Sequence, residues 1–140
     1  MPEPEDNTPL INLESTNIQE IRTILSDHFI NSSIDDESDL LIDGPGRIYL
    51  KVDREYGFLR FFCFVRLIKD WKTTEISTKL DIINKASFTI KYAAMTSSVM
   101  AEYGIPLSGH IDHKLLVNVI HHIQTEIAKL KIRLDDFVEG

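Results

Sequence analysis

The run from Phe58 to Leu67 constrains the fold more than any other stretch of the chain. Its odd positions, Leu59, Phe61, Cys63, Val65 and Leu67, are all apolar. Its even positions are Phe58, Arg60, Phe62, Phe64 and Arg66. Side chains alternate across a strand, so a strand here has one wholly apolar face and one aromatic face carrying two arginines. Just upstream, Ile48, Leu50 and Val52 alternate with Tyr49, Lys51 and Asp53, which supplies a first arm. The connection Asp53-Arg54-Glu55-Tyr56-Gly57 is polar and ends in a glycine that can take positive φ. Arg47 to Trp71 therefore reads as a β-hairpin in a sheet with one buried face. Phe62 and Phe64 need cover on the other face, from a helix, a partner subunit or a bound peptide.

The rest of the chain supplies partners for that hairpin. Residues 1–12 are rich in Pro, Glu and Asp and read as a flexible acidic tail, leaving 13–140 as a single domain. Thr16 and Gln19 have the form of a capping box, and Ile18, Ile21, Leu25 and Phe29 form one stripe of a helix over about 17–30, widened by Ile24. Asn31-Ser32-Ser33 and the acidic run Asp35–Asp39 read as loop. Leu40-Leu41-Ile42 and the turn Asp43-Gly44-Pro45-Gly46 lead into the hairpin, making a three-stranded meander over about 38–68. A second helix is expected over about 74–86, capped by Thr73 or Thr74, with Ile76, Leu80, Ile83 and Ala86 inward. A second hairpin follows. Phe88, Ile90, Tyr92 and Ala94 share one face of its first arm, and Val99, Ala101, Tyr103 and Ile105 form its return, ended by Pro106. The last helix, about 112–135, has Asp112 as N-cap and a seam of Leu116, Ile120, Ile123, Ile127, Leu130 and Leu134. Packing of that seam on the protein's own sheet is the preferred reading. The expected fold is α+β, ordered α-β-β-β-α-β-β-α around a twisted antiparallel sheet.

Charge and composition narrow the function. The 140 residues carry a formal charge of −7, so the chain as a whole repels phosphate backbones. Arg54, Tyr56, Phe58, Arg60 and Phe62 interleave cations with rings, but the glycine-aromatic signature of RNA-recognition sheets is missing. No nucleic-acid partner is expected. No apolar run reaches the roughly 18 residues of a membrane span, the N-terminus lacks a signal-peptide pattern, and no membrane partner is expected. The single cysteine, Cys63, lies in the central strand as a small core residue, which fits a reducing cytoplasm.

Residues in catalytic or ligand-holding patterns are few. An EF-hand register from Asp35 places Leu40 at the glycine position and Gly46 at the bidentate glutamate. His110, His113, His121 and His122 include one His-x-x-His pair but no HExxH and no cysteine partner, so polar-face histidines are expected rather than a metal site. Ser108-Gly109-His110 puts a serine near an imidazole in sequence without a nucleophile elbow. No phosphate-binding glycine loop is present. No catalytic residue, metal or cofactor is expected. The alternative kept beside this is a hydrolase or small-ligand site near Ser108–His113.

The Phe-rich hairpin Arg47–Leu67, the helix 74–86 with Asn84 near its end, the second hairpin and the helix from Asp112 together resemble the YbjN family of bacterial proteins. The resemblance covers about 40–134 and rests on hydrophobic spacing. Members are named as sensory-transduction regulators and are similar in fold to type III secretion chaperones, which are small, acidic, cytoplasmic and usually dimeric. The resemblance implies a non-enzymatic regulator or chaperone-like protein in the cytoplasm. Its partner would be a protein or peptide, or a second copy in a homodimer. The residues expected to carry binding are Phe58, Arg60, Phe62, Phe64 and Arg66.

Overall fold

The computed structural model describes residues 9–44, 46–68, 73–87 and 89–138. Their elements run β1 (Leu10–Asn12), α1 (Ile18–Asp27), β2 (Ser32–Ile34), β3 (Leu40–Ile42), β4 (Ile48–Asp53), β5 (Phe58–Arg66), α2 (Thr73–Ala86), β6 (Lys91–Ala94), β7 (Ser98–Pro106), β8 (His110–Asp112) and α3 (His113–Arg133). Six strands form one antiparallel sheet in the order β2-β3-β4-β5-β7-β6, and β1 pairs separately with β8. The expected α+β architecture with an antiparallel sheet and three helices is the one observed.

Strand β5 lies inside the sheet. It pairs with β4, where Leu50 faces Phe61, and along its whole length with β7, from Phe58 opposite Pro106 to Arg66 opposite Ser98. The turn back from β4 is closed by Gly57, at φ +76, whose N–H donates to the Asp53 carbonyl at 2.8 Å. Helix α2 then carries the chain past the place of β7 to the edge strand β6, and β7 returns between β5 and β6.

All of the odd positions of β5 and the following Leu67 are buried. The same core takes Ile48 and Leu50 of β4, Val99 and Ala101 of β7, Ile76, Leu80 and Ile83 of α2, and Ile21, Ile24 and Leu25 of α1. The six seam residues of Leu116 to Leu134 are buried there too, so α3 packs on the protein's own sheet. Asp112 caps α3 as expected, its Oδ1 accepting from the Leu115 N–H at 2.6 Å. At the sheet edge the Asn84 side chain donates to the Tyr92 carbonyl and accepts from the Tyr92 N–H, both at 2.8 Å. The carboxamide thus takes the place a further strand would occupy at that residue, and blunts an otherwise open edge.

Several local readings change. Asn17, not Thr16, caps α1, accepting from the Glu20 N–H at 2.9 Å. Thr16 is instead buried, and its carbonyl accepts from the Arg54 guanidinium. Phe29 leaves the helix stripe: α1 ends at its cap His28, and Phe29 follows at φ +62 with 95% of its surface exposed. The Ile30 N–H reaching back to the Leu25 carbonyl at 2.8 Å closes that turn. Ala86, expected inward, is exposed. The stretch read as loop holds β2, paired with β3, and Asp35–Asp39 forms the hairpin turn. There Asp35 Oδ1 accepts from the N–H groups of Glu37 and Asp39. The expected tail overlaps β1, since Leu10, Ile11 and Asn12 pair with Asp112, Ile111 and His110. Thr73 and Thr74, expected to cap α2, lie within its first turn. The rest of that tail up to residue 8, with Pro45, Trp71 and Phe88, lies outside the described residues.

Candidate functional site

The helices share their core with one face of the sheet, and the opposite face carries no described element. Strand register says which side chains stand there, because directly paired residues share a face. Tyr49 is paired with Phe62, Lys51 with Arg60 and Asp53 with Phe58. On the other flank Met100 is paired with Phe64, Glu102 with Phe62, Gly104 with Arg60, and Lys91 with Glu102. The five residues singled out in the sequence therefore form one row along the middle of this open face. Phe64 and Phe58 keep 45% and 40% of their surface exposed, which is unusual for large rings in the centre of a sheet.

The rings shelter one another in place of a covering helix. Phe62 stacks on Tyr49 with centroids 5.4 Å apart and planes at 11°. Phe64 meets both edge-on, at 6.3 Å from Tyr49 and 6.1 Å from Phe62. Offset and edge-on contacts of this kind hold rings in fixed poses. The cluster is thus a preorganised apolar surface.

Arg60 is locked beside it. Its Nε and Nη2 both lie 2.7 Å from Glu102 Oε1, and its Nη1 lies 3.1 Å from Asp53 Oδ2. Its guanidinium carbon lies 5.9 Å from the Phe62 ring centre. The hydrogen bond it donates to Glu102, with the one to Asp53 in support, holds the Arg60 guanidinium above its ordinary pKa. The Asp53 carboxyl is held below its ordinary range, first by the Tyr56 N–H that donates to it at 3.1 Å and further by Arg60. Arg60 thus serves as a fixed brace between β4, β5 and β7, and its charge is already matched.

Two depressions flank the aromatic cluster. One, of about 640 Å³, is lined by Tyr56, Phe58, Arg60, Lys91 and Glu102, with Thr89 and Gly104. A Cβ added at Gly104 would lie 3.3 Å from Phe58 Cδ1, so the missing side chain lets that ring lie close to the sheet. The other, of about 290 Å³, is lined by Arg47, Tyr49, Phe64, Arg66, Ser97 and Ser98. Arg66, the last of the five sequence-chosen residues, belongs to this second depression.

Elsewhere the polar groups do not converge. Ser108 and His110 are exposed, and no hydrogen bond joins Ser108 to an imidazole among the described residues. His113 meets His28 edge-on at 6.0 Å, whereas His122 Nε2 lies 2.9 Å from Thr89 Oγ1. No group of three or more His, Cys, Asp or Glu among the described residues is placed to hold a metal. Burial pushes the Cys63 thiol up to about 12, so it stays protonated and poorly nucleophilic.

Met100, Glu102, Gly104 and Lys91 joined the face without being singled out in the sequence. The alternation of β7 was visible, with Val99, Ala101, Tyr103 and Ile105 inward. What placed its outward residues beside Arg60 and Phe62 was the insertion of β7 next to β5, for which local pattern holds no signal.

No protein-family model matches the sequence, and no curated protein does. A solved structure matches in three dimensions: YbjN from E. coli, described as "a putative transcription regulator". It is 11% identical, with a TM-score of 0.74 over 94% of this chain and 100% of that one. The resemblance read in the sequence thus holds at the level of fold, and that neighbour is described as a regulator rather than an enzyme. No described helix is long and apolar enough to cross a membrane.

Proposed function

We propose that this protein is a non-enzymatic regulator or chaperone-like binding protein of the cytoplasm that holds a protein partner against its open sheet face. The contact row would be Phe58, Arg60, Phe62, Phe64 and Arg66, with Tyr49 and Met100 beside it. One observation carries the reading: the aromatic face stands uncovered among the described residues, while every helix shares the core of the opposite face. A rigid cluster of exposed rings with a braced arginine has the composition of binding hot spots, in which aromatic and arginine side chains dominate. The fold likeness to a protein described as a regulator agrees with it.

The Phe64→Asp variant tests this. Phe64 is half-exposed, so the variant is expected to fold, with an unfolding midpoint close to that of the parent. Assembly, by self-association in light scattering or by protection of an unfolding client from aggregation, is expected to be lost. A parent that stays monomeric, retains no partner under native conditions and protects no client would overturn the reading.

A further inference from the structure

The charge on the open face tells what kind of partner it fits. Arg47, Lys51, Arg66 and Lys91 are exposed, and none has a carboxylate within salt-bridge distance among the described residues. The carboxylates on the same face are spent or hidden. Asp53 and Glu102 are engaged by Arg60, and Asp39 is buried, its pKa raised first by that burial and then by the Asp35 charge. The charge this face offers to a partner is therefore cationic, on a chain whose formal charge is −7. Such a local reversal of sign attracts an acidic ligand to this one surface while the rest of the molecule repels it.

We propose that the occupant of the face is an acidic segment of another protein, bound in extended form along β5. This rests on the proposed use of the face and adds the partner's chemistry. In the smaller depression Arg47 and Arg66 flank the exposed ring of Phe64, with Ser97 and Ser98 as hydroxyl donors. Paired guanidiniums beside hydroxyls recognise a carboxylate through forked, charge-assisted hydrogen bonds. At the far end Lys91 stands at the larger depression beside Tyr56 and Phe58, which leave room for a large apolar side chain. Phe58 and Arg66 are the ends of β5, roughly 27 Å apart at strand rise, the span of eight or nine extended residues. The fitting segment has carboxylates at its ends and an aromatic or aliphatic centre that rests on Tyr49, Phe62 and Phe64. A second copy of the chain fits less well, because a two-fold contact through this face sets its accessible cations against their own copies. A nucleic-acid strand meets Asp53 and Glu102 in the middle of its path, and the Tyr49 and Phe62 rings are already stacked on each other.

Selection of a random nonapeptide display library on the full-length protein tests this. Enrichment of Asp and Glu toward the ends and of aromatic or aliphatic residues in the centre is expected. The best selected peptide, read by fluorescence anisotropy, is expected to lose at least tenfold in affinity to the Arg47→Glu/Arg66→Glu double variant, and to weaken as salt is raised. Both arginines are exposed, so the double variant keeps its fold, which circular dichroism checks. Phe64→Asp separates the two levels of the claim. If it abolishes binding while the charge reversal does not, the face binds by apolar contact and the acidic specificity is wrong. If neither variant matters, the face itself is wrong. Selection of basic or neutral peptides, tighter binding of a single-stranded RNA nonamer, or a dimer that the charge reversal strengthens would each overturn the acidic partner.

Discussion

Adjacent residues of β5 live in different molecules, in effect. Phe61 and Cys63 point into a core closed by three helices, whereas Phe62 and Phe64 point to a face with no described cover. The rows differ in chemistry, since the odd one is apolar with Phe61 as its only ring and the even one has Phe58, Phe62 and Phe64 beside two arginines. What separates their surroundings is the helix stripes: α1, α2 and α3 each carry one apolar stripe, and all three are spent on the odd row. An apolar stripe can be buried once, so the even row is left without a helix over it among the described residues. Stability is thus concentrated on one side of a single strand, and the proposed binding surface lies on the other.

The strongest way to break that comparison is to truncate a ring on each side. Phe61→Ala removes a fully buried ring packed edge-on to Tyr103 at 6.0 Å. A loss of about 3–5 kcal/mol is expected in urea unfolding, from lost burial and the cavity left behind. Phe64→Ala, three residues along, is expected to cost about 1 kcal/mol or less, because its ring is half in water already. Equal losses from the two would mean that the even row is structural.

How much of this could be read from the sequence depends on the range of the forces involved. The two faces of β5 were legible because a strand's period of two is a local property. So was the seam of α3, where six residues recur at heptad spacing and all are buried. The strands β1, β2 and β8 were not legible. Each has three residues, too few to show a period, and β1 exists only through a partner about a hundred residues away. Phe29 misled because it extended the helical spacing of Ile21 and Leu25, whereas the chain had already turned at His28. At the site, the five residues of the row were named from alternation alone. Their ion-pair partner Glu102 lies 42 residues from Arg60 and came only with the strand order.

A second contrast is chemical. Cys63 is buried, with its thiol pushed up to about 12 by that burial. Ellman's reagent at pH 8 is expected to label it only as fast as the protein opens, with release in a single phase on adding urea. A cysteine placed at the neighbouring Phe64 position, in a Cys63→Ala background, is expected to label at the rate of a small thiol. Rapid labelling of Cys63 in the native protein would show that the covered face opens without global unfolding. That would erase the distinction between the two faces.

The smallest effect expected is the one that shows how the open face keeps its shape without a helix above it. Asp53 accepts the Tyr56 N–H in the β4–β5 turn and the Arg60 guanidinium on the sheet, and its pKa lies below the ordinary carboxylate value. A carboxyl held below its unfolded pKa contributes stability at every pH above that unfolded value, and the contribution fades as pH falls through the folded one. The unfolding midpoint of the parent should therefore be flat near neutrality and drop only in acid, below the usual carboxylate range. Asp53→Asn removes the titrating group but keeps an oxygen for the turn. Its midpoint is expected to start slightly lower at pH 7 and to fall less steeply in acid, so that the two curves converge once the pH has fallen through the folded pKa of Asp53. The Arg60 brace then rests on Glu102 alone, and the Phe62 ring beside it should gain mobility, visible as faster ring flips by NMR. Parallel acid limbs would show that Asp53 does not stabilise the fold through its charge, and that the aromatic row holds its pose by ring packing alone.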